Sequence, residues 1–326
     1  MNQAPGPQEV CFKKPLSPWQ RIPPVAWIVL FMLGFFGVAA PGFFSGVNFL
    51  NIMLQGSVLL ILAVAATLVI LTEGIDLSLG SVLTLAGVTT VLALQQGLPV
   101  TAAVAVGVAT GAACGTVTGL LITAGKLPPF IATLGMMGMA AGMALVLTRQ
   151  GAIYSDLPDF LFLGGGSILR VPMPTVIALA VFALAWVALY QTDFGRYIVS
   201  IGGNEAGTRL SGVNTAWWKF LTYVVAAAVA ALGGVIMAAR LHAADPIVGN
   251  GWEFDAIAAT ILGGTSFEKG NGSLGGTVVG VLLIAVLRNG LNVVGVGAMW
   301  QPALIGLVII AAIVFDVLLK QRGVIQ

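Results

Sequence analysis

The chain has 326 residues, of which 58% are hydrophobic and only 8% are charged, and its mean hydropathy is +1.03. Soluble domains carry about 25% charged residues, so this composition excludes a soluble globular protein. The net charge of +2 says little about partners, and the sequence holds no basic cluster suited to nucleic acid. We therefore expect a protein that is embedded in membrane lipid.

Apolar stretches along the chain predict an all-α polytopic membrane protein with about ten transmembrane helices. The stretches cover residues 25–40, 50–72, 75–95, 98–124, 128–148, 172–191, 219–241, 254–266, 274–296 and 299–319. A membrane-spanning helix needs about 20 residues, and most of the stretches are long enough. The stretch 254–266 is shorter, so it could be a half-helix or a re-entrant segment instead.

The distribution of lysine and arginine predicts the orientation in the membrane. With ten spans and the N-terminus inside, the cytoplasmic side receives Lys13, Lys14, Arg21, Lys126, Arg196, Arg209, Lys219, Lys269, Lys320 and Arg322. The outer side receives only Arg149, Arg170 and Arg240, and Arg288 falls within a span. This asymmetry satisfies the positive-inside rule, so both termini are predicted to be cytoplasmic.

The predicted organisation follows from these spans. Residues 1–24 form a cytoplasmic N-terminal tail, residues 25–319 form the transmembrane domain with a cytoplasmic loop at 192–218, and residues 320–326 form a cytoplasmic C-terminal tail. If residues 254–266 were re-entrant, the last two helices would invert, which the charge distribution disfavours.

Two polar breaks interrupt the apolar pattern, one in each half of the chain. Residues 73–80 read Glu-Gly-Ile-Asp-Leu-Ser-Leu-Gly, and residues 250–266 have a similar character, acidic and then small. Charge and glycine are costly in lipid, so such breaks usually line a protein interior or a watery path. A pair of them is typical of the substrate route of a transporter. The chain is therefore expected to move a solute across the membrane.

A short internal repeat relates the two halves. Residues 115–121 read Gly-Thr-Val-Thr-Gly-Leu-Leu, and residues 276–282 read Gly-Thr-Val-Val-Gly-Val-Leu. Aligning them pairs spans two to five with spans seven to ten, which start on opposite sides and so predict an inverted-topology repeat. Because the match is short and apolar, chance similarity is the alternative.

Glycine recurs at every fourth residue around both copies of the repeat. The two rows are Gly107, Gly111, Gly115 and Gly119 in the first copy, and Gly272, Gly276 and Gly280 in the second. Small residues at this spacing let helix backbones approach closely, so we expect both rows to mark helix–helix packing.

Two acidic residues begin predicted spans and are candidates for gates of a translocation path. By the predicted topology, Asp76 lies toward the cytoplasmic side and Asp255 toward the outer side. A carboxylate can also accept hydrogen bonds from the free N–H groups of a helix start, and this structural role is the favoured interpretation. Ser78, Asn289 and Asn292 complete the set of path candidates.

The loop 192–218 carries the signals of a short helix. Asn204 is a good N-cap, Glu205 suits the positive helix start, Arg209 suits the helix end and Gly212 can stop the helix. These signals predict about two helical turns outside the membrane. Such an element either docks into a cytoplasmic partner or is a solvated loop helix.

The sequence lacks the motifs of metalloproteins and of nucleotide-hydrolysing enzymes. The single His242 and the two cysteines, Cys11 and Cys114, form no metal-ligand cluster. No Gly-x-x-x-x-Gly-Lys-Ser/Thr loop is present to bind the phosphates of ATP. We therefore expect no metal, no cofactor and no catalytic residue, and the energy for transport must come from a partner.

Three segments together resemble the ribose-type permeases of ATP-binding-cassette (ABC) importers. They are residues 74–80, 195–212 and 254–266, and the resemblance continues through residues 289–295 to cover nearly the whole chain beyond the N-terminal tail. The resemblance implies a homodimeric permease of the bacterial inner membrane for a monosaccharide or a similar small polar solute. It also implies a sugar-binding protein outside and an ATPase with two cassettes inside.

The same resemblance implies that residues 195–212 contain the coupling helix that sits in a groove of the ATPase. Its residues here are Asn204, Glu205, Arg209, Leu210, Ser211 and Gly212. Family members often have a small residue in place of Glu73 and an uncharged polar residue in place of Arg288. These departures leave the substrate open, because relatives carry pentoses, hexoses, inositol, a signalling furanone or nucleosides.

Other classes of protein remain as alternatives. An ion-coupled secondary transporter would also have inverted repeats and broken helices, but it would more naturally have several intramembrane acidic residues or histidines. A membrane-embedded enzyme is disfavoured because no catalytic cluster is present. Within the ABC class, the cargo could instead be a nucleoside or a branched-chain amino acid, and the permease could pair with a paralogue.

Overall fold

A computed structural model describes residues 24–266, 270–297 and 299–321, and this part of the chain is dominated by helices. The helices are α1 (Pro24–Ala39), α2 (Gly46–Ile70), α3 (Leu79–Gln95), α4 (Val100–Thr123), α5 (Pro129–Leu147), α6 (Pro158–Gly165), α7 (Met173–Gln191), α8 (Asp193–Leu210), α9 (Thr215–Leu241), α10 (Trp252–Leu262), α11 (Leu274–Val293) and α12 (Gln301–Gln321). The predicted N-terminal tail and most of the predicted C-terminal tail lie outside the described residues.

Four two-residue strands make two small antiparallel sheets. They are β1 (Ile153–Tyr154), β2 (Ser167–Ile168), β3 (Val171–Pro172) and β4 (Ala243–Ala244). Strand β1 pairs with β4, and β2 forms a tight hairpin with β3. The first pairing connects the segment after α5 with the segment after α9.

A polytopic, all-helical membrane protein is confirmed. In the described part of the chain, six helices are long and apolar enough to cross a membrane, namely α2, α4, α5, α7, α9 and α11. Two further apolar helices, Val25–Ala39 and Leu79–Gln95, are shorter. Helix α10 has only 11 residues and covers the segment predicted to be short.

The region between spans six and seven is more helical than the sequence predicts. Helix α8 begins at Asp193, at once after α7, and its backbone leaves helical geometry only at Asn204, where φ is −164° and ψ is 92°. The following helix, α9, begins at Thr215, four residues earlier than the predicted span. Helix α6, which no periodicity predicts, lies between α5 and α7.

Helix α2 forms the centre of the bundle. It is buried along most of its length and packs against α7, α9, α10 and α11. Its sequence is apolar on every side, which suits a helix that is surrounded by other helices rather than one with a polar face. The outer helices cover this core and leave large apolar side chains exposed, as lipid contact requires.

The bundle has two ends that carry different elements. At the α8 end, Gly202 packs against the backbone of Leu71 and Gly270, and the Leu274 N–H donates to the Tyr190 hydroxyl over 3.2 Å. At the opposite end, which we call the hairpin end, lie both small sheets and α6. The ends of α3 and of β1 meet there, because the Gln95 side-chain amide donates to the Tyr154 carbonyl over 3.0 Å.

The glycine rows lie where helix backbones meet. A Cβ atom at Gly115 would lie 2.5 Å from the Tyr223 carbonyl oxygen, and one at Gly111 would lie 2.5 Å from the Ala231 side chain, both on α9. Gly119 faces α9 as well, at Phe220. On α11, a side chain at Gly280 would overlap the backbone of Ala259 in the last turn of α10. A side chain at Gly276 would overlap the backbone of Gly263, just after that helix ends.

Threonine hydroxyls join three helices inside the apolar core. The hydroxyls of Thr67 on α2 and Thr277 on α11 are 2.8 Å apart. Thr260 on α10 donates to the Ala63 carbonyl of α2 over 3.2 Å. These bonds satisfy buried polar groups across helices and fix the depth of the short helix α10 against its two neighbours.

Candidate functional site

In the first break, between α2 and α3, the buried carboxylate receives its hydrogen bonds from a residue close to it in the sequence. Asp76 is buried, and its Oδ1 accepts hydrogen bonds from the Ser78 backbone N–H over 2.8 Å and from the Ser78 hydroxyl over 2.6 Å. Ser78 is itself the residue that precedes α3. The exposed Glu73 has a φ of +58°, which turns the chain back into the bundle after α2. Asp76 thus closes the turn that starts α3.

The second break, between α9 and α10, places a carboxylate in contact with a different helix. Asp255 lies in the first turn of α10 and forms an ion pair with Arg288 of α11. The Arg288 guanidinium also lies 5.3 Å from the centre of the Trp252 ring. Both partners are partly buried, with side chains 16% and 28% exposed. A carboxylate partner offsets part of the cost of placing an arginine within a span.

The two breaks meet inside the bundle. Gly80, at the start of α3, packs so closely on the Glu253 carboxylate and the Gly249 carbonyl that a side chain would overlap both. The Gly249 N–H donates to the Thr84 hydroxyl over 3.0 Å. We call Gly80, Thr84, Gly249 and Glu253 the break junction. It joins segments that are about half the chain apart in sequence.

Two buried polar atoms near the breaks have no hydrogen-bond partner in the described part of the protein. One is Oε2 of Glu253, whose other oxygen accepts from the Gly251 N–H over 3.3 Å. The other is the hydroxyl of Tyr223, which lies against Gly74 in the first break. An unpaired buried polar group costs about 1–3 kcal/mol and is typical of a functional or hydrated site.

The two asparagine candidates hold helices together at the far end of α11. Asn289 is buried, and its amide exchanges two hydrogen bonds with the amide of Asn48 on α2, over 2.9 and 3.0 Å. Asn292 is exposed and accepts from the Gln301 side chain over 2.7 Å, at the start of α12. Neither side chain contacts the break junction through these bonds.

The second segment of α8 is capped and charged as its sequence predicts. The Asn204 side-chain oxygen accepts from the Gly207 N–H over 2.8 Å. Glu205 binds Arg209 over 3.0 Å and Lys219 of α9 over 2.5 Å. Gly212 has a φ of +86°, which ends the helix after Ser211. Leu210 is 90% exposed at the tip.

Charge neighbours change the acidity of the Glu205 carboxyl. Partial burial raises its pKa, but the hydrogen bond and the charge of Lys219 act in the opposite direction, with smaller effects from Thr215 and Arg209. The net result is a pKa below the usual value, so Glu205 stays ionised and the segment is fixed to the start of α9. In the described residues, no group of three His, Cys, Asp or Glu side chains could hold a metal ion.

Sequence reasoning did not single out Trp252, Glu253 and Tyr223. Glu253 had a usable signal, because it stands two residues before Asp255 at a glycine-bounded helix start. No sequence signal marked Tyr223, because a tyrosine inside an apolar span is common. Only the fold brings its hydroxyl to the first break. The pairing of Arg288 with Asp255 also became visible only in the tertiary structure, because the two residues are 33 positions apart in the sequence.

Comparison with known proteins identifies relatives over nearly all of this bundle. The family model for the permease component of the branched-chain amino acid transport system matches residues 48–313. The ribose import permease protein of Escherichia coli strain K12 is 43% identical over 294 residues, which is 88% of this chain and 91% of the relative. That of Bacillus subtilis strain 168 is 39% identical over 278 residues, 85% and 86% of the two chains.

A relative with another sugar in its name is also similar. The D-allose transport system permease protein of Escherichia coli strain K12 is 34% identical over 297 residues, which is 90% of this chain and 91% of the relative. No solved structure matches the chain at a significant level. The resemblance drawn from three sequence segments is confirmed.

Proposed function

This chain belongs to the permease family of binding-protein-dependent ABC importers, and from this premise we propose that it conducts a monosaccharide across the inner membrane. It is a transport subunit and not an enzyme, and a partner ATPase hydrolyses the ATP. The observation that carries the proposal is the 43% identity to a ribose import permease over 88% of the chain. A second relative named for D-allose supports a sugar cargo.

The chemistry of the second break suits a neutral polyol. A monosaccharide offers hydroxyl groups that both donate and accept hydrogen bonds, and it offers an apolar ring face. Asp255 can accept from hydroxyls, Arg288 can donate to them, and Trp252 provides an aromatic surface beside both. The partial exposure of this ion pair supports its facing the path rather than lipid, where an exposed charge is costly.

Ten spans in an inverted repeat agree with the helix packing. Helix α4 packs on α9, and its proposed equivalent α11 packs on α2. Helix α3 packs on α9, and its proposed equivalent α10 packs on α2. The chain reverses after α2 at Glu73 and after α9 at His242, both with positive φ. In each case the helix of one half packs on the central helix of the other half, which supports a pseudo-two-fold relation between the halves.

We assign the α8 end to the cytoplasm, together with both termini. Lys126, Arg196, Arg209 and Lys219 belong to this end by connectivity, in accord with the positive-inside rule. The segment from Asn204 to Gly212 is then the coupling helix that the ATPase grips. Its exposed Leu210 and its fixed Glu205 suit such docking, and a second copy of the permease completes a homodimer within the lipid.

A reconstituted system tests the function. The permease, its ATPase and its binding protein are placed in lipid vesicles, and the uptake of labelled ribose and D-allose is measured. We expect uptake that requires ATP and the binding protein and that does not respond to ionophores. Uptake that persists without the ATPase and stops with the ion gradient would establish a secondary transporter instead. Uptake of a labelled nucleoside but of neither sugar would overturn the sugar assignment.

Charge reversal in α8 tests the coupling assignment. Glu205→Lys should insert normally but lose ATPase association and uptake, because it repels Lys219 and Arg209. Asp193→Lys is the matched control, since Asp193 forms an exposed ion pair with Arg196 on the same helix, before Asn204. Normal co-purification of the ATPase with Glu205→Lys, together with normal uptake, would contradict the assignment.

A further inference from the structure

The hairpin end contains a cavity of about 650 Å³ that none of the preceding assignments uses. It lies between the first three turns of α2, the end of α6, the β2–β3 hairpin and the last turn of α9. Arg170 of the hairpin and Arg240 of α9 line it, and Asn51 and Ser167 add polar groups to its wall. No carboxylate is among the lining residues that the structure describes, so the cavity is positively charged.

Both arginines lack a counter-charge in the described part of the protein. The ion pairs and hydrogen bonds among these residues include neither Arg170 nor Arg240, although Arg240 is partly buried. The free carbonyl groups in the last turn of α9 favour a cation at Arg240. They do not account for Arg170, which comes from a separate element. Two unmatched cations on facing walls are an electrostatic feature that an anion can complete.

The lengths of the flanking helices place the cavity at the edge of the membrane. Helices α2 and α9 have 25 and 27 residues. At about 1.5 Å per residue they are about 37 and 40 Å long, whereas the hydrocarbon core is about 30 Å thick. About one turn at each end therefore reaches beyond the hydrocarbon. Arg240 lies in such an end turn, at the depth where lipid phosphate groups are found.

Exposed apolar side chains border the two charged walls. Val47 and Phe49 lie in the first turn of α2 and are exposed, next to Leu50 of the cavity wall. Leu169, which precedes Arg170 at the tip of the hairpin, is 93% exposed. A surface that presents arginine and leucine side by side at the edge of a membrane suits a ligand with a charged head and apolar chains.

We propose that this cavity binds the phosphate group of an anionic phospholipid, whose acyl chains lie along the first turns of α2 and against Leu169. A guanidinium group binds phosphate oxygens in bidentate geometry, and basic pockets between membrane helices are suited to lipid headgroups. A neutral sugar makes no use of two cations, so the lipid site and the path at the second break are different sites. The bound lipid fills the gap between α2, α9 and the hairpin and connects these three elements.

The test measures lipid binding to the full-length permease in detergent by native mass spectrometry. Phosphatidylglycerol is the probe, and phosphatidylcholine with the same acyl chains is the comparison. We expect phosphatidylglycerol to bind about tenfold more tightly, because the choline cation of the other lipid opposes the arginines. Arg170→Gln and Arg240→Gln should each weaken phosphatidylglycerol binding by about tenfold or more, since each removes a charge-assisted hydrogen bond. Arg149→Gln is the matched control, because Arg149 is a cation of the same end and does not line the cavity.

Several outcomes would overturn the inference. One is that the unaltered permease binds both lipids equally, and another is that Arg149→Gln loses as much binding as the cavity variants. Displacement of phosphatidylglycerol by millimolar inorganic phosphate would indicate a site for a soluble anion. Unchanged lipid binding in both cavity variants, together with weaker stimulation of ATP hydrolysis by the binding protein, would indicate a surface for protein docking.

A second substitution keeps the test valid if Arg240→Gln does not fold. Arg240→Lys retains the charge at the partly buried position, but an ammonium group cannot bind phosphate in bidentate geometry. We expect its loss of phosphatidylglycerol binding to lie between that of the unaltered permease and that of Arg170→Gln. Binding as tight as in the unaltered permease would contradict a phosphate contact at Arg240. The lipid measurement needs neither cargo nor ATPase, so its failure would leave the proposed transport function unaffected.

Discussion

The two breaks in this bundle begin in the same way and place their carboxylates in different environments. After α2 and after α9, a residue with positive φ turns the chain back, and a short helix then starts with an acidic residue near its first turn. In the first break, Asp76 is bound by Ser78, two residues away. In the second, Asp255 is bound by Arg288 from another helix.

This difference separates a structural carboxylate from a functional candidate. A carboxylate whose hydrogen bonds come from its own turn keeps those partners whatever the neighbouring helices do, so it can support a helix start through a conformational cycle. A carboxylate that depends on another helix loses its partner when the helices separate. Under the proposed function, we expect the Asp255–Arg288 pair to be the part of the site that a change between inward-open and outward-open states alters.

The largest expected effect comes from removing one partner of that pair. Arg288→Ala leaves Asp255 unpaired and partly buried, which should destabilise the permease by about 3 kcal/mol and abolish uptake. Melting in detergent and uptake in vesicles measure the two effects. The double variant Asp255→Ala, Arg288→Ala should regain much of the melting temperature without uptake. If Arg288→Ala melts and transports like the unaltered permease, the carboxylates of the two breaks do not differ in their roles.

The glycine rows beside the two breaks should respond alike to added bulk. Gly115→Leu and Gly276→Leu each force a side chain into a neighbouring backbone, so we expect a loss of about 1–3 kcal/mol of stability. Gly275→Leu is the matched control, because a Cβ atom there would meet nothing within 4 Å. Thermal melting of the three variants in detergent tests this. If Gly115→Leu and Gly276→Leu melt like Gly275→Leu, the rows do not hold helices together.

A smaller effect is expected at the first break. Asp76→Ala removes the acceptor of both Ser78 hydrogen bonds and should cost about 0.5–2 kcal/mol, whereas Asp76→Asn keeps an acceptor oxygen and should transport almost normally. Uptake and melting temperature are measured in parallel for both variants. An Asn variant that is well folded but inactive would show that Asp76 needs its charge, and the two breaks would then be functionally alike.

The smallest effect is expected at Glu205. Its carboxylate lies outside both breaks and serves as a reference for the two carboxylates within them. Because its folded-state pKa is lowered, the ion pairs stabilise the fold at pH values above the unfolded pKa, and this stabilisation is lost as the pH falls through the folded pKa. Because these ion pairs are partly exposed, with Glu205 33% and Arg209 66% exposed, water screens them, and we expect Glu205→Gln to cost about 1 kcal/mol at pH 7. The difference in melting temperature from the unaltered protein should vanish once the pH has fallen below the folded-state pKa, which lies below the usual value of a glutamate. A difference that persists there would mean that the side chain acts by shape.

Much of the fold and of the family assignment was accessible from the sequence. The lengths of the apolar stretches predict where helices lie, because a helix satisfies its own backbone and needs no distant partner. The breaks are equally local, since glycine and charge interrupt an apolar helix wherever they occur. The capped segment after Asn204 follows from side chains within three residues of the helix start.

Contacts across the bundle required the tertiary structure. The Asp255–Arg288 pair, the break junction and the Tyr223 hydroxyl at Gly74 join residues that no local pattern relates. The extension of α8 back to Asp193 and the presence of α6 also depend on packing against α7 and α9. Sequence therefore determined where the long apolar helices and the breaks between them lie, because those features depend on neighbouring residues. Only the tertiary structure decided which charges and polar atoms face each other, because the partners come from helices far apart in the chain.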